Sequence, residues 1–333
     1  MKTNSYVYGA WFEGQGKDVE VRHAVNGEIV ALTNSDGIDF KKVLEYGREK
    51  GGVALRQMTL HERANALKEL GKYLLGNKEA LYAVSAFTGA THVDSQIDID
   101  GGVATLFSYS GIARREFSNE TFIVEGPPER LSAKNTFAAK HILVSKRGVS
   151  VHINAFNFPC WGMLEKIAPS LIAGVPVVVK PATDSAYMTE AMVRQIINSG
   201  LLPEGSIQLI CGRIGDMLGH LTEQDVVTFT GSASTGRMLR SHPNIISKSI
   251  PFNMEADSLN CCILGETVDV EDPEFKLFIK EIAREMIVKA GQKCTSIRRV
   301  IVPVDKAQAV VDALKIRLGK VVMGDPAEKG VRM

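Results

Sequence analysis

From residue 149 onward the chain alternates between short apolar runs and longer amphipathic segments, and this alternation restricts the fold more than any other feature. Four runs rich in β-branched residues predict strands, and three segments between and after them predict helices. The predicted strands are 149–153, 175–179, 207–210 and 226–230, and the predicted helices are 161–172, 185–198 and 214–221. Because parallel strands need crossover helices, this pattern predicts an α/β protein with a doubly wound, Rossmann-like parallel sheet.

The segment before this alternation is mainly helical in pattern, after a short hairpin near residues 6–12. Thr59 and Glu62 form a capping-box signature, and leucines at helical spacing follow it. Residues 94–115 predict a second long helix, although Gly101 and Gly102 weaken its propensity. After a break at 125–128, segments 137–145 and 148–154 predict two strands joined by a tight turn, either as a projecting arm or as an ordinary sheet edge.

The overall composition excludes several classes of protein. The chain has 333 residues and a formal net charge of +1, so no strong field attracts nucleic acid or an acidic membrane. No apolar run is long enough to span a bilayer, and the N-terminus lacks a signal-like apolar core. Five cysteines without framework spacing predict free thiols in the cytoplasm, and the seven histidines show no zinc spacing.

Several chemically capable residues follow the predicted strands, where parallel sheets bind their ligands. Asn157 follows the first strand, Lys180 the second, and the run Gly231-Ser-Ala-Ser-Thr-Gly236 the fourth. That run can seat a pyrophosphate on a helix N-terminus or can simply cap the helix. No GxGxxG fingerprint is present. Cys294, in Gly291-Gln-Lys-Cys294, is a candidate nucleophile, although a lone cysteine is more often buried and inert.

Taken together, these motifs carry a family resemblance. Asn157-Phe-Pro, Lys180-Pro, Phe229-Thr-Gly-Ser232, Glu255 and Gly291-Gln-Lys-Cys294 occur in the order and spacing of the aldehyde dehydrogenase superfamily, which the chain resembles from about Tyr6 to its last residue. The longer strings at 152–163 and 253–260 resemble the phenylacetate-degradation branch and its relatives from the aerobic benzoyl-CoA pathway. Members of that branch oxidise semialdehydes carried on coenzyme A.

The resemblance implies a catalytic role for three residues. Cys294 would attack the aldehyde as a thiolate, giving a thiohemiacetal and then a thioester. The Asn157 side-chain amide and the Cys294 backbone N–H would stabilise the oxyanion. Glu255 would be the general base that activates water to hydrolyse the thioester, a role that suits a partly buried carboxylate.

The resemblance also implies a nicotinamide cofactor, with Phe156, Lys180, Thr183, Gly231, Ser232 and Gly236 as its contacts. Ser232 is the best candidate for a pyrophosphate contact. Many NAD-preferring members carry a glutamate at the position of Thr183, beside the adenosine ribose. A neutral threonine next to Lys180 would accept a 2′-phosphate, since attraction at roughly 4 Å is about 4 kcal/mol at an effective dielectric constant near 20. We therefore expect NADP rather than NAD, which remains the alternative.

The same resemblance divides the chain. Residues 1–128 and 149–254 would form a discontinuous cofactor-binding domain, 129–148 an oligomerisation hairpin, and 255–333 the first part of a second, catalytic α/β domain. Family members continue beyond position 333, so we expect a C-terminally truncated chain, and a homo-oligomer in the full-length form. Two alternatives stay open: a CoA-acylating dehydrogenase, a class that generally lacks the base glutamate, and a non-catalytic remnant that only binds cofactor or oligomerises.

Overall fold

The computed structural model describes residues 1–134 and 136–333. The strands are β1 (Ser5–Val7), β2 (Ala10–Phe12), β3 (Val19–Arg22), β4 (Ile29–Thr33), β5 (Phe122–Arg130), β6 (Ala138–Val144), β7 (Ser150–Ile153), β8 (Val177–Lys180), β9 (Ile207–Leu209), β10 (Val226–Gly231), β11 (Phe252–Ala256), β12 (Asn260–Ile263) and β13 (Ile297–Ile301). The helices are α1 (Phe40–Tyr46), α2 (Gly52–Gln57), α3 (Leu60–Gly76), α4 (Lys78–Ser85), α5 (His92–Glu116), α6 (Trp161–Ile172), α7 (Ala186–Ser199), α8 (Ala233–Arg240), α9 (Pro243–Ser247), α10 (Pro273–Ile287) and α11 (Ala307–Leu318).

The main sheet has seven strands in the order β11-β10-β7-β8-β9-β1-β2. The five strands from β11 to β9 are parallel, and the β1–β2 hairpin adds an antiparallel edge. The predicted α/β class and parallel sheet are therefore confirmed. The registers pair Ile153 with Phe229 and with Lys180, and Thr230 with Glu255, so the carboxyl ends of four strands meet at one edge.

Strand β8 shows why this sheet requires helices on both faces. Val177 and Val179 belong to the apolar core under α3, α5, α6 and α7, whereas Val178 belongs to the opposite core under α1, α8 and α9. All three valines are fully buried. Since successive side chains of a strand point to opposite faces, a wholly apolar strand is stable only when both faces are covered.

The predicted helix 214–221 is wrong. Only a short 3₁₀ turn forms, at Met217–His220. Gly215 has φ +47°, outside the helical region, and a Cβ there would lie 2.4 Å from the Phe40 ring. The tight turn lets Met217 and Leu218 enter the core instead, where both are buried.

The long helix α5 carries the two glycines that weakened its prediction, and the packing explains them. A Cβ on Gly101 would lie 2.3 Å from the Trp161 ring, and one on Gly102 would lie 2.8 Å from the Trp161 Cα. The pair thus allows the N-terminus of α6 to pack directly against α5. Both α3 and α5 begin with complete capping boxes, the first at Thr59 and Glu62 as predicted.

The predicted pairing of 137–145 with 148–154 is wrong. Strand β6 pairs with β5 in a separate antiparallel ribbon, while β7 lies in the main sheet. The ribbon therefore includes Phe122–Arg130 and begins before residue 129, where the sequence placed the arm. The sequence at 125–128 predicted a break, whereas Pro127 and Pro128 lie within β5. A register shift between Glu125 and Glu129 accommodates them, because prolines are tolerated at bulges of exposed strands.

A second α/β unit follows the main sheet. Strands β12 and β13 are parallel, and α10 connects them. Phe275, Phe278 and Ile282 of α10 and Val310 of α11 form a third buried apolar cluster there. Across the described residues, none of the helices combines the length and apolarity that crossing a bilayer requires.

Candidate functional site

The turn that carries Cys294 has an unusual backbone. Helix α10 ends at Ile287, and Lys289 and Ala290 then adopt left-handed conformations with φ of 54° and 50°. Cys294 itself lies in the turn before β13 and is exposed. Residues other than glycine rarely adopt this conformation, which persists only where the surroundings impose it.

Polar contacts hold this turn, and the one to Lys289 is buried. The Lys289 N–H donates to the Asp94 carboxylate of α5 at 2.9 Å, and both residues are buried. Lys293 forms an ion pair of 2.7 Å with Glu285 of α10. The Cys294 carbonyl accepts hydrogen bonds from the side chains of Ser258 and Asn260. Acceptors and donors on three elements therefore hold the cysteine in one place.

Helix α5 also holds the loop that carries Asn157. The fully buried Asp98, one turn after Asp94, accepts the N–H groups of Cys160 at 3.3 Å and Trp161 at 2.9 Å, where α6 begins. Burial raises the pKa of Asp98, and the positive charge of Lys289 acts against this rise. Sequence reasoning missed both aspartates. The available signal was two acids at i and i+4 on the helix face that also carries Ile99, Val103 and Leu106, which pack into the core.

Asn157 lies beside the cysteine turn. Its side-chain Nδ2 donates to the Gln292 carbonyl at 2.8 Å, so the amide and the turn that carries Cys294 are directly connected. An amide nitrogen carries two hydrogens, and one remains for a second acceptor. The geometry thus places a side-chain N–H donor beside the turn that carries the thiol, and its role toward an oxyanion remains a prediction.

Glu255 lies against the same thiol. It belongs to β11, where Thr230 Oγ1 donates to its Oε2 at 3.4 Å. Partial burial raises the pKa of the Cys294 thiol, and the negative charge and the hydrogen bond of Glu255 raise it further. At neutral pH the resting cysteine is therefore a protonated thiol with a carboxylate in contact, rather than a preformed thiolate.

Two cavities meet at these three residues. One of about 290 Å³ is lined by Phe156 and Gly231 on the side of β10, and another of about 330 Å³ by Phe158 and Trp161 on the side of α6. Asn157, Glu255 and Cys294 line both. A larger groove of about 740 Å³, between α10 and α11, contains no predicted site residue. The arrangement allows one reactant to reach the thiol from each side.

The glycine-serine run begins at Gly231, the last residue of β10, beside the first cavity. Ser232 is the N-cap of α8 and its Oγ accepts the Thr235 N–H at 3.3 Å. The Asp257 carboxylate already accepts the Ala233 N–H at 3.2 Å. Gly236 is buried, and a Cβ there would lie 2.6 Å from the sulfur of Met254. Gly236 therefore allows α8 to pack on the sheet and does not face the cavity.

Lys180 and Thr183 lie farther along the sheet edge. Lys180 ends β8, and burial lowers the pKa of its ammonium group. Thr183 lines a separate cavity of about 490 Å³ together with Arg213, a cation that sequence reasoning missed. Asn154, at the end of β7, is buried, and neither side-chain amide atom has a partner among the described residues. These groups suit a polar ligand such as a dinucleotide along this edge.

Comparisons with known proteins agree with this geometry. A model of the aldehyde dehydrogenase family matches residues 11–333. The 3,4-dehydroadipyl-CoA semialdehyde dehydrogenase of Aromatoleum evansii is 43% identical over 334 residues, which cover 100% of this chain and 65% of that relative. A crystal structure of an NADP-dependent enzyme from E. coli has a TM-score of 0.85 at 20% identity, covering 100% of this chain and 66% of that one. Betaine aldehyde dehydrogenase from Staphylococcus aureus, in complex with NAD+, has a TM-score of 0.85 at 23% identity, covering 99% and 63%. The chain thus spans about two thirds of the length of these proteins.

Proposed function

Because the chain belongs to the aldehyde dehydrogenase family, we propose that it oxidises an aldehyde to a carboxylic acid through a thioester on Cys294, using NAD(P). The observation that carries this proposal is the meeting of Cys294, Asn157 and Glu255 at the junction of two cavities. We further propose a CoA-linked semialdehyde of aromatic catabolism as the substrate. Its support is the 43% identity to a relative named for such a substrate.

The residues of the chain account for each proton in this reaction. Glu255 takes the proton of the Cys294 thiol, and the thiolate forms a C–S bond with the aldehyde carbon. The carbonyl oxygen becomes an oxyanion that accepts from the Asn157 amide and the Cys294 N–H. A bound nicotinamide would accept the hydride that leaves the former aldehyde carbon, which leaves a thioester on Cys294. Glu255 passes the thiol proton to solvent and is then free to take a proton from water, whose oxygen attacks the thioester carbon. The C–S bond breaks, the acid is released, and Glu255 returns its proton to the departing sulfur.

We propose NADP as the preferred cofactor, held along the sheet edge. Lys180 offers a positive charge, Thr183 offers no repelling carboxylate, and Arg213 lines the cavity that Thr183 lines. Gly231 and Ser232 lie at the N-terminus of α8, where anions are favoured. Tighter binding of NAD than of NADP in a calorimetric titration would contradict this preference.

We propose that the domains follow the family pattern and that the β5–β6 ribbon is an oligomerisation arm. The ribbon exposes apolar side chains, among them Val144 at 73% and Ile142 at 56%. Such an exposed strand edge tends to pair with another chain. Sedimentation of the wild-type chain and of Val144→Lys tests this role, because the substitution should weaken the oligomer. A monomeric mass for both proteins would contradict the proposal.

The reaction itself is tested by supplying NADP and a CoA-linked semialdehyde and measuring reduced cofactor, product, and the intact mass of the protein. We expect a carboxylic acid product and an acyl adduct on Cys294 that is absent in Cys294→Ser. Formation of an acyl-CoA only when free coenzyme A is added would favour the CoA-acylating alternative. Cofactor binding with neither adduct nor reduced cofactor would favour a non-catalytic chain.

A further inference from the structure

Glu165 of α6 is a charged residue in the cavity on the α6 side, and the reaction proposed above gives it no role. Its Oε2 accepts the Trp161 Nε1–H at 3.1 Å, and its Oε1 accepts from Lys166 at 3.2 Å. The side chain of Glu165 is 38% exposed, whereas that of Lys166 is 12% exposed. The carboxylate therefore borders the cavity, and the ammonium group is the more buried member of the pair.

The two lysines that line this cavity are both engaged with the protein. Lys293 pairs with Glu285 at 2.7 Å, outside the cavity lining. Lys166 also donates to the Gly162 carbonyl at 3.1 Å. Among the described residues that line the cavity, no other side chain is positively charged. The ammonium of Lys289 lies 5.3 Å from the centre of the Phe158 ring but does not line the cavity. Within the described lining, an anion would thus meet carboxylates and no unpaired cation.

The cavity is the one suited to the tail of an aldehyde. Phe158, Trp161 and Ile97 give it apolar walls, whereas the cavity on the other side lies at the end of β10, where a dinucleotide would bind. Burial is the main cause of the raised pKa of Cys294, and the charges of Glu255 and Glu165 both add to it. Both charges therefore disfavour a further negative charge at the sulfur.

We propose that Glu165 makes this cavity selective for aldehydes with an uncharged tail, such as a thioester, and against semialdehydes that end in a free carboxylate. This inference rests on the proposed function and specifies its substrate class. The physical cause is charge repulsion inside a partly enclosed cavity, where water screens charges less than it does in bulk. Trp161 and Lys166 hold the carboxylate in position and thereby prevent it from turning away.

Two alkylating reagents test this inference without requiring turnover. Iodoacetamide and iodoacetate have similar size and differ in charge, so the ratio of their rates at Cys294 measures the electrostatic penalty for an anion. Rates are followed by mass spectrometry of the cysteine-containing peptides, and the exposed Cys261 is the internal reference. A change in the pKa of Cys294 affects both reagents equally and cancels in the ratio.

We expect the ratio of the amide rate to the acid rate at Cys294 to exceed the ratio at Cys261, and Glu165→Gln to lower it roughly tenfold at low salt. Glutamine keeps an acceptor for Trp161 but removes the charge. Glu271→Gln, at a glutamate that is 90% exposed and outside this cavity, is the matched control and should change nothing. Equal ratios in Glu165→Gln and the wild-type chain would overturn the inference. A failure of aldehyde oxidation would instead contradict the proposed function and leave this measurement valid.

Discussion

Replacing Glu255 by glutamine should make Cys294 more reactive toward alkylation at neutral pH. The carboxylate raises the pKa of the thiol through its charge and its hydrogen bond, in addition to the effect of burial. Two charges roughly 4 Å apart interact by about 4 kcal/mol at an effective dielectric constant near 20. Both residues are exposed, so screening by solvent reduces this to about 1–2 kcal/mol.

The sign of the effect follows from which form the carboxylate destabilises. Glu255 disfavours the thiolate, so its removal lowers the pKa of Cys294 and increases the thiolate fraction below that pKa. Iodoacetamide labelling of Cys294 near pH 7 should therefore accelerate by up to about tenfold, with an unchanged plateau at high pH. The same variant should lose thioester hydrolysis, because it lacks the base.

The assay is a pH series of labelling rates, measured for each cysteine by mass spectrometry. Cys261, exposed on β12, reports any general change in reagent reactivity, and Thr230→Val tests whether the weak contact from Thr230 contributes. A pH midpoint for Cys294 that is unchanged or higher in Glu255→Gln would refute the contact between carboxylate and thiol as the cause of the raised pKa.

Three other substitutions test neighbouring parts of the site. Asn157→Ala should slow thiohemiacetal formation about 10²–10³-fold in single-turnover kinetics with little change in cofactor affinity, since one oxyanion donor is lost; an unchanged rate would exclude the amide as a donor. Asp94→Ala should destabilise the fold by about 1–3 kcal/mol in urea unfolding, because the buried Lys289 N–H loses its acceptor, whereas Asp36→Ala at an exposed site should not. Thr183→Glu should weaken NADP binding more than NAD binding in calorimetric titrations, and an equal loss for both would place the 2′-phosphate elsewhere.

Much of the fold could be predicted because its signals are local. The strands β7, β8, β9 and β10 and the helices α6 and α7 were predicted to within about two residues, since buried parallel strands are apolar over their whole length. The errors at 214–221 and 122–130 arose where contacts between distant residues, rather than local periodicity, decide the backbone conformation. Gly215 and the Gly126-Pro-Pro128 run were interpreted without knowing which neighbours they contact.

The candidate site was likewise predicted only in part from the sequence. The order and spacing of the family motifs predicted Cys294, Asn157 and Glu255 as site residues. The family match confirms the resemblance from which their catalytic roles were taken. The roles themselves remain predictions. The structure adds a packing reason for Gly236, where a Cβ would lie 2.6 Å from the Met254 sulfur, and its assignment to cofactor binding stays a prediction.

The sequence by itself determined the α/β class, the parallel sheet and the identity of the candidate nucleophile, because periodicity and motif order are properties of the chain. Tertiary structure alone showed that Asp94 and Asp98, one turn apart on α5, fasten the cysteine turn and the start of α6. It also showed that burial, together with the charges of Glu255 and Glu165, raises the pKa of the Cys294 thiol. The contacts of the two aspartates join residues that are far apart along the chain. Asp98 and Trp161 are 63 positions apart, and Asp94 and Lys289 are 195 positions apart. Hydrogen bonds and charges act over a few ångströms of space, and only the folded chain brings these groups within that range.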